Sequence, residues 1–389
     1  MKILFLDQSG KLGGAEFALA DIAKPYFNSC LVGIFVDGPF KELLQQQQIQ
    51  VKVISNQGIS ISKKSSWKEG LASIKSLVPI ISEVVQLARE YHVIYANTQK
   101  ALVVGAIASF FSGRPLVYHL HDILCSEHFS RTNRLIAVTL ANRFASLVIA
   151  NSQATKAAFV AAGGRAEIVE VVYNGFEPQL YQIPDYQVQQ VRQQLELEGK
   201  FVVGHFSRLA PWKGQHILIE AIAQCPPDVT ALLVGDALFG EQEYVQQLQE
   251  QVTKLGVEDR VKFLGFRSDI PQLMAACDLV AHTSTAPEPF GRVIIEAMLS
   301  GSPVVAAKAG GAVELVDSLK NGFLVTPGEP QELAQVILTC RNQPENAAAI
   351  ASHAQQSATQ KFNLANTNQQ IDQLLSDIFN LNTGHLFIW

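Results

Sequence analysis

Short apolar runs alternate with longer segments of helical periodicity along almost the whole of this 389-residue chain. The runs are KILFLD, CLVGIFV, VKVIS, VIYANT, PLVYHLH, SLVIANS and EIVEVVYN. After a Gln-rich stretch they resume as FVVGHFS, TALLVGD, VKFLGF, DLVAHTS, SPVVAAK and GFLVTP. A strand that is apolar on both faces must be covered on both, so such an alternation is the mark of an α/β protein with parallel sheets. Its restart near residue 200 predicts two Rossmann-like domains, residues 1–175 and 176–363. NGFEPQLYQIPDYQ carries the turn residues of a linker. ANTNQQIDQLLSDIFN reads as an amphipathic helix able to pack on either domain. Ligands of open parallel sheets lie outside the carboxyl ends of the strands, at the point where strand order reverses. Two facing domains of this kind would place a cleft between them.

Composition narrows the partners. Hydrophobic residues make up 48% and charged residues 17%, enough for large cores. No apolar run is long enough to span a bilayer, and Asp7 interrupts the opening MKILFLDQSG too early for a signal peptide. Five scattered cysteines (Cys30, Cys125, Cys225, Cys277 and Cys340) without metal-ligand spacing fit a reduced, cytoplasmic protein. The net charge of −5 is uneven: residues 1–175 carry 17 Lys and Arg against 12 Asp and Glu, and the remainder 13 against 23. The basic first half, with Lys63, Lys64, Lys68 and Trp67, fits peripheral contact with an acidic membrane surface; an ordinary surface helix gives the same pattern. The acidic total and the lack of a reader motif count against nucleic acid.

The chemistry concentrates in APEPFGRVIIEAMLSGSPVV. Glu288 falls in a strand-exit loop, Gly291 at a helix N-terminus and Glu296 about one turn inside that helix. The unpaired N–H groups of a helix start form an anion site, and carboxylates on either side of it can grip the hydroxyls of a sugar and a ribose. Arg208 and Lys213, in GHFSRLAPWKGQHILIEAI, are two cations five apart in another strand-exit loop, placed to meet one anion such as a diphosphate leaving group. Two solvated loop cations are the plain alternative. Gly10, Gly13 and Gly14 follow the first strand and open a helix, with Lys11 and Glu16 at the border, so the backbone can approach a phosphate closely. An ordinary strand–helix turn has the same look. In the group His119, His121 and Asp122, alternation puts both histidines on one strand face, and His121 lies nearer the crevice end. No third ligand at zinc spacing accompanies them. FLGFRSDIP and AKAGGAVELVD are loops that could meet a base or a phosphate, or be turns. No Asp-x-Asp occurs anywhere, so clustered oxygen ligands for a divalent metal are missing and no cofactor or metal is expected.

SRLAPWKG, FLGF, EPFGRVIIEAMLSGSPVVA and GG-x-x-E, in this order and spacing, resemble the retaining glycosyltransferases of family 4, the group 1 enzymes of GT-B fold. GGAE and HLHD fit the same pattern, and the resemblance covers essentially the whole chain. It implies a nucleotide-sugar donor whose diphosphate is bound by Arg208 and Lys213 with the backbone at Gly13, Gly14, Pro289, Phe290 and Gly291, beside Arg292. Glu288 would contact the moving sugar and Glu296 the ribose. The backbone near Gly265, Phe266 and Arg267 would meet the base, and His121 would lie beside the reacting centre. Asn151 and Ser152 resemble a further active-site strand end. The last helix, 364–389, would complete the first, acceptor-binding domain; the second would bind the donor.

The resemblance further implies a retaining hexosyltransferase without an enzymic nucleophile, transferring on the front face with UDP-glucose or a related hexose as donor. The acceptor would be an exopolysaccharide, lipid-linked or other cell-envelope glycan. A GT-B-like nucleotide-sugar 2-epimerase would share the diphosphate cradle, and a non-catalytic nucleotide-sugar binding module is the third reading.

Overall fold

The computed structural model describes residues 1–54, 67–238 and 240–384, with backbone alone over 67–77 and 381–384. The chain divides into two compact units: Met1–Gly175 joined by the segment from Leu364 onward, and Phe176–Asn363.

Seven strands form the sheet of the first unit: β1 (Ile3–Asp7), β2 (Cys30–Ile34), β3 (Val51–Val53), β4 (Val93–Ala96), β5 (Leu116–Leu120), β6 (Ala145–Ala150) and β7 (Val169–Val171). Their order is β3-β2-β1-β4-β5-β6-β7, parallel throughout, so the direction of winding reverses between β1 and β4. Side-chain alternation fills two cores. Ile3, Phe5, Tyr95, Val117 and Ile149 face one, and Leu4, Leu6, Ile94, Tyr118 and Val148 the other. Each such side chain contributes about 1.5–3 kcal/mol of burial, which is why the strands carry no polar face. The helix Leu364–Gly384 seats Ile371, Leu375 and Ile378 in the first of these cores. Tyr26 donates to Asp372 at 2.7 Å and Thr367 to the Tyr173 carbonyl at 3.2 Å, fixing that helix against the sheet's flank.

The second unit repeats the plan with β8 (Phe201–Phe206), β9 (Val229–Val234), β10 (Val261–Gly265), β11 (Leu279–His282), β12 (Val304–Ala307) and β13 (Phe323–Val325). The order is β10-β9-β8-β11-β12-β13, all parallel, with reversal between β8 and β11. Each apolar run singled out in the sequence is thus a strand of one of two parallel sheets.

Among the described residues no helix is long and apolar enough to cross a membrane, and the cysteines are unpaired. Lys63 and Lys64, on which the membrane-contact expectation partly falls, lie outside the described residues. Trp67 and Lys68 begin the helix Trp67–Ala88, where their side chains are likewise not described.

Candidate functional site

In the second unit the site grows from the two strands at the reversal. Ser207 and Arg208 follow β8, and one 3₁₀ turn, Pro211–Lys213, leads through Gly214 into the helix Gln215–Ala223. Gly214 has φ +75° and lies so close to Thr283 that a Cβ would run into its carbonyl oxygen, so glycine is required there. Thr283, next after β11, ties the two strand exits together: its hydroxyl donates to the Gly214 carbonyl at 2.8 Å. His205 Nε2 sits 3.2 Å from the Lys213 carbonyl and 3.0 Å from Thr283 Oγ1. Burial, then the neighbouring His282, pushes His205 down to about 3, so it serves as a neutral donor. Gln215, fully buried, donates to Ser207 Oγ and the Arg208 carbonyl, each at 2.9 Å.

This scaffold delivers the Lys213 ammonium to both oxygens of Glu288, at 2.6 and 2.9 Å. Ser284 donates to Glu288 Oε2 at 2.8 Å, and His282 Nε2 lies 3.2 Å from the same oxygen. Burial alone would raise the Glu288 carboxyl; Lys213, with His282, outweighs it and holds the group far below the ordinary carboxylate range. The sequence reading gave Lys213 and Glu288 to different ligand groups, and the structure brings them into one buried ion pair. Arg208 Nε lies 3.5 Å from Glu241. Glu241 carried no signal in the sequence, because it lies 33 residues beyond Arg208, in the loop after β9.

Helix Arg292–Leu299 starts at Gly291, φ +96°, and carries Glu296 in its second turn. Arg292 Nε lies 3.6 Å from Glu296, and the Arg292 guanidinium stacks 4.5 Å over the Phe176 ring. Burial raises the Glu296 carboxyl, countered by Arg292 and by a hydrogen bond from Tyr181. The Phe290 side chain is core, stacked on Phe176, so only its backbone faces the loop chemistry. Pro289 lies between Glu288 and Phe290 in this loop. Gly265, φ +64°, ends β10 at the sheet edge; Phe266 is exposed and Arg267 Nε is paired with Asp269 at 2.7 Å.

In the first unit, too, the polar residues sit at the reversal. Gly13 caps helix Gly14–Ala23, and the Glu16 carboxylate folds back to within 2.8 Å of where a Gly13 Cβ would stand. Burial, then the charge of Asp7, raises Glu16 to about 8; burial raises Asp7 to about 6. His121 follows β5, and its ring packs against that of His119 with centroids 3.8 Å apart and planes tilted by 39°. Its Nε2 is 2.8 Å from Asn97 Oδ1. Ser152 caps helix Gln153–Ala161 by accepting from the Thr155 N–H at 3.0 Å, and Asn151 accepts from the Thr155 hydroxyl at 2.9 Å. Among the described residues no three His, Cys, Asp or Glu side chains are grouped to hold a metal ion.

Two expected outcomes follow from this geometry. Asp7 and Glu16 bind their protons more tightly folded than unfolded. Their contribution to stability is full below the ordinary carboxyl range and is lost as pH rises through about 6 and then about 8. Glu16→Gln should therefore flatten the decline of Tm over the upper part of that window; an unchanged slope in the variant would refute the assignment. Ser284→Ala deletes one charge-assisted hydrogen bond to Glu288, an interaction of about 1.5–3 kcal/mol. Turnover should fall about 10-fold or more, and steady-state kinetics equal to wild type would rule out a role for Ser284 in holding Glu288.

The family profile described as "Glycosyl transferases group 1" matches residues 187–357, and that of the "Glycosyl transferase 4-like domain" matches residues 49–175. Spore coat protein SA of Bacillus subtilis is 32% identical over 185 residues, 45% of this chain and 48% of its own length. The 2-deoxystreptamine glucosyltransferase of Streptomyces kanamyceticus is 28% identical over 260 residues, 63% of this chain and 66% of its own. The chain thus spans about half to two thirds of the length of these curated relatives. Among solved structures, Anabaena Alr3699/HepE in complex with UDP-glucose is 64% identical with a TM-score of 0.91, over 97% of this chain and 100% of that one. The same protein was solved with UDP and with UDP and glucose, each at 65% identity. These relatives do not favour the epimerase reading. With two parallel Rossmann-like sheets and both family profiles matched along its length, the chain belongs to the group 1 glycosyltransferases, of the family 4 type and GT-B fold.

Proposed function

We propose that this chain is a retaining, metal-independent hexosyltransferase that takes glucose, or a related hexose, from a UDP-sugar. The acceptor class we propose is a glycan of the cell envelope, an exopolysaccharide or a lipid-linked saccharide. The observation that carries the donor is the likeness to Anabaena Alr3699/HepE, solved with UDP, with UDP-glucose, and with UDP and glucose. In this reading Lys213 and Arg208 meet the diphosphate and stabilise charge growing on it as the sugar bond breaks. Backbone N–H groups at Gly13–Gly14 and Phe290–Gly291 add to that. Glu288 orients sugar hydroxyls, Glu296 takes the ribose, the Gly265–Arg267 loop meets the base, and His121, Asn151 and Ser152 act from the first unit. The cations replace the charge of a divalent metal. Peripheral membrane contact through the first unit, at a cytoplasmic surface, is part of the same proposal.

The test is a panel of UDP-, GDP- and ADP-sugars by thermal shift and calorimetry, followed by turnover with and without chelator. Selective stabilisation by UDP-glucose and chelator-insensitive transfer that keeps the donor's anomeric configuration are expected. Preference for a GDP- or ADP-sugar would overturn the donor, loss of turnover in chelator the metal independence, and an inverted product the stereochemistry. An epimerised donor formed without acceptor would overturn the transferase itself.

A further inference from the structure

Asn97 follows β4 at the reversal of the first sheet and is buried. Its amide is oriented by chemistry that forbids a flip. Nδ2 lies 2.7 Å from Asp7 Oδ2 and 3.1 Å from the carbonyl oxygen of Ala15, so both its hydrogens meet acceptors. The other Asp7 oxygen accepts from the Ser9 N–H at 2.8 Å, which fixes the carboxyl in turn. Turning the Asn97 oxygen to that side would set it against the Ala15 carbonyl, which cannot donate. The oxygen therefore points at His121 Nε2, 2.8 Å away. An amide oxygen only accepts, so Nε2 must bear a hydrogen. A neutral imidazole has one such hydrogen, which leaves Nδ1 as the basic nitrogen. The His119 ring packs against that of His121, tilted 39° from it, and its Nδ1 lies 2.8 Å from the Tyr95 hydroxyl.

We propose that Asn97, locked by Asp7 and Ala15, is a positioning residue that holds His121 as its Nε2–H tautomer and so makes Nδ1 the nitrogen that accepts a hydrogen bond or proton. The tautomer stands on geometry alone; its value for transfer rests on the reading of His121 as a residue beside the reacting centre.

The test uses the full chain with ¹⁵N-labelled histidine, at a pH well above the ordinary imidazole range. The His121 resonances are identified by their loss in His121→Asn. A bare Nδ1 and a protonated Nε2, in about tenfold excess or more over the other form, are expected. Asn97→Ala should move the signals toward a mixture of tautomers. A protonated Nδ1 or an even mixture in the wild type overturns the proposal, and this holds even if Asn97→Ala does not fold. An Asn97→Ala protein that folds and keeps the pure Nε2–H form also overturns it. Undiminished turnover in His121→Ala would instead remove the functional reading of His121 and leave the tautomer result standing.

Discussion

Lys213→Ala should lower turnover by about 100- to 1,000-fold, the scale of removing one preorganised charge from a developing anion. It should also destabilise the second unit by about 3–5 kcal/mol, because the deletion strands Glu288 as a buried, unpaired carboxylate. The two losses have different causes and can be separated. In Lys213→Ala/Glu288→Gln the buried charge is gone, so Tm should recover toward wild type while turnover stays low. The pairing at 2.6 and 2.9 Å to both Glu288 oxygens makes this coupling direct. A double variant no more stable than Lys213→Ala would show that the ion pair is not the source of the lost stability. Near-wild-type turnover in the single variant would remove Lys213 from the site. The Glu288 carboxyl, held low by Lys213, contributes stability above the ordinary carboxyl pKa that is lost as pH falls toward its folded value. In Lys213→Ala burial raises that carboxyl instead, so acid protonates the stranded group and the variant's Tm deficit against wild type should shrink as pH falls.

Gly310→Ala should be nearly as damaging, although it removes no functional group. Gly310 has φ +59°, which costs an L-residue about 1–2 kcal/mol. Its Cβ would run into the Glu288 carbonyl oxygen and stand 2.7 Å from the Glu288 nitrogen. That backbone cannot retreat freely, since Glu288 accepts from the Gly311 N–H at 2.7 Å in a short parallel bridge. Overpacking of this kind adds about 1–3 kcal/mol, and a Glu288 carboxylate displaced by even about 1 Å can lose 100-fold in rate. The expected result is a lowered Tm together with turnover down by about 100-fold, measured at a temperature where the variant is folded. A folded Gly310→Ala enzyme of normal turnover would mean that the position of the Glu288 loop does not limit the reaction.

Much of the fold was legible because parallel strands advertise themselves. Buried on both faces, each must be apolar throughout, and every run so identified is a strand in the structure. Glu288, Gly291 and Glu296 were legible for a related reason. A helix start after a strand places residues at known offsets, and the loop, cap and second-turn positions are occupied as the spacing predicts. What went unread was the set of polar residues that end strands: Asp7, Asn97, His205, His282 and Ser284. Each closes an apolar run, and a polar side chain there must either find a partner or face the crevice. That signal was available in DQSG, YANT, GHFS and AHTS, but it does not name the partner.

The sequence by itself determined which segments are strands, that they form two parallel α/β units, and which loops leave the sheets at their carboxyl ends. These follow from local periodicity and from turn residues, which act over a few positions. The pairings were decided only by the tertiary structure: Lys213 with Glu288 across 75 residues, Arg208 with Glu241, Gly310 beneath Glu288, and Asp7 with Asn97 and His121. The physical reason is that strand order in a parallel sheet is set by how helices cross over and pack. The reversals between β1 and β4 and between β8 and β11 therefore bring together loops far apart along the chain. Buried charge then selects its partner by distance and desolvation, and neither quantity exists until the strands have found their neighbours.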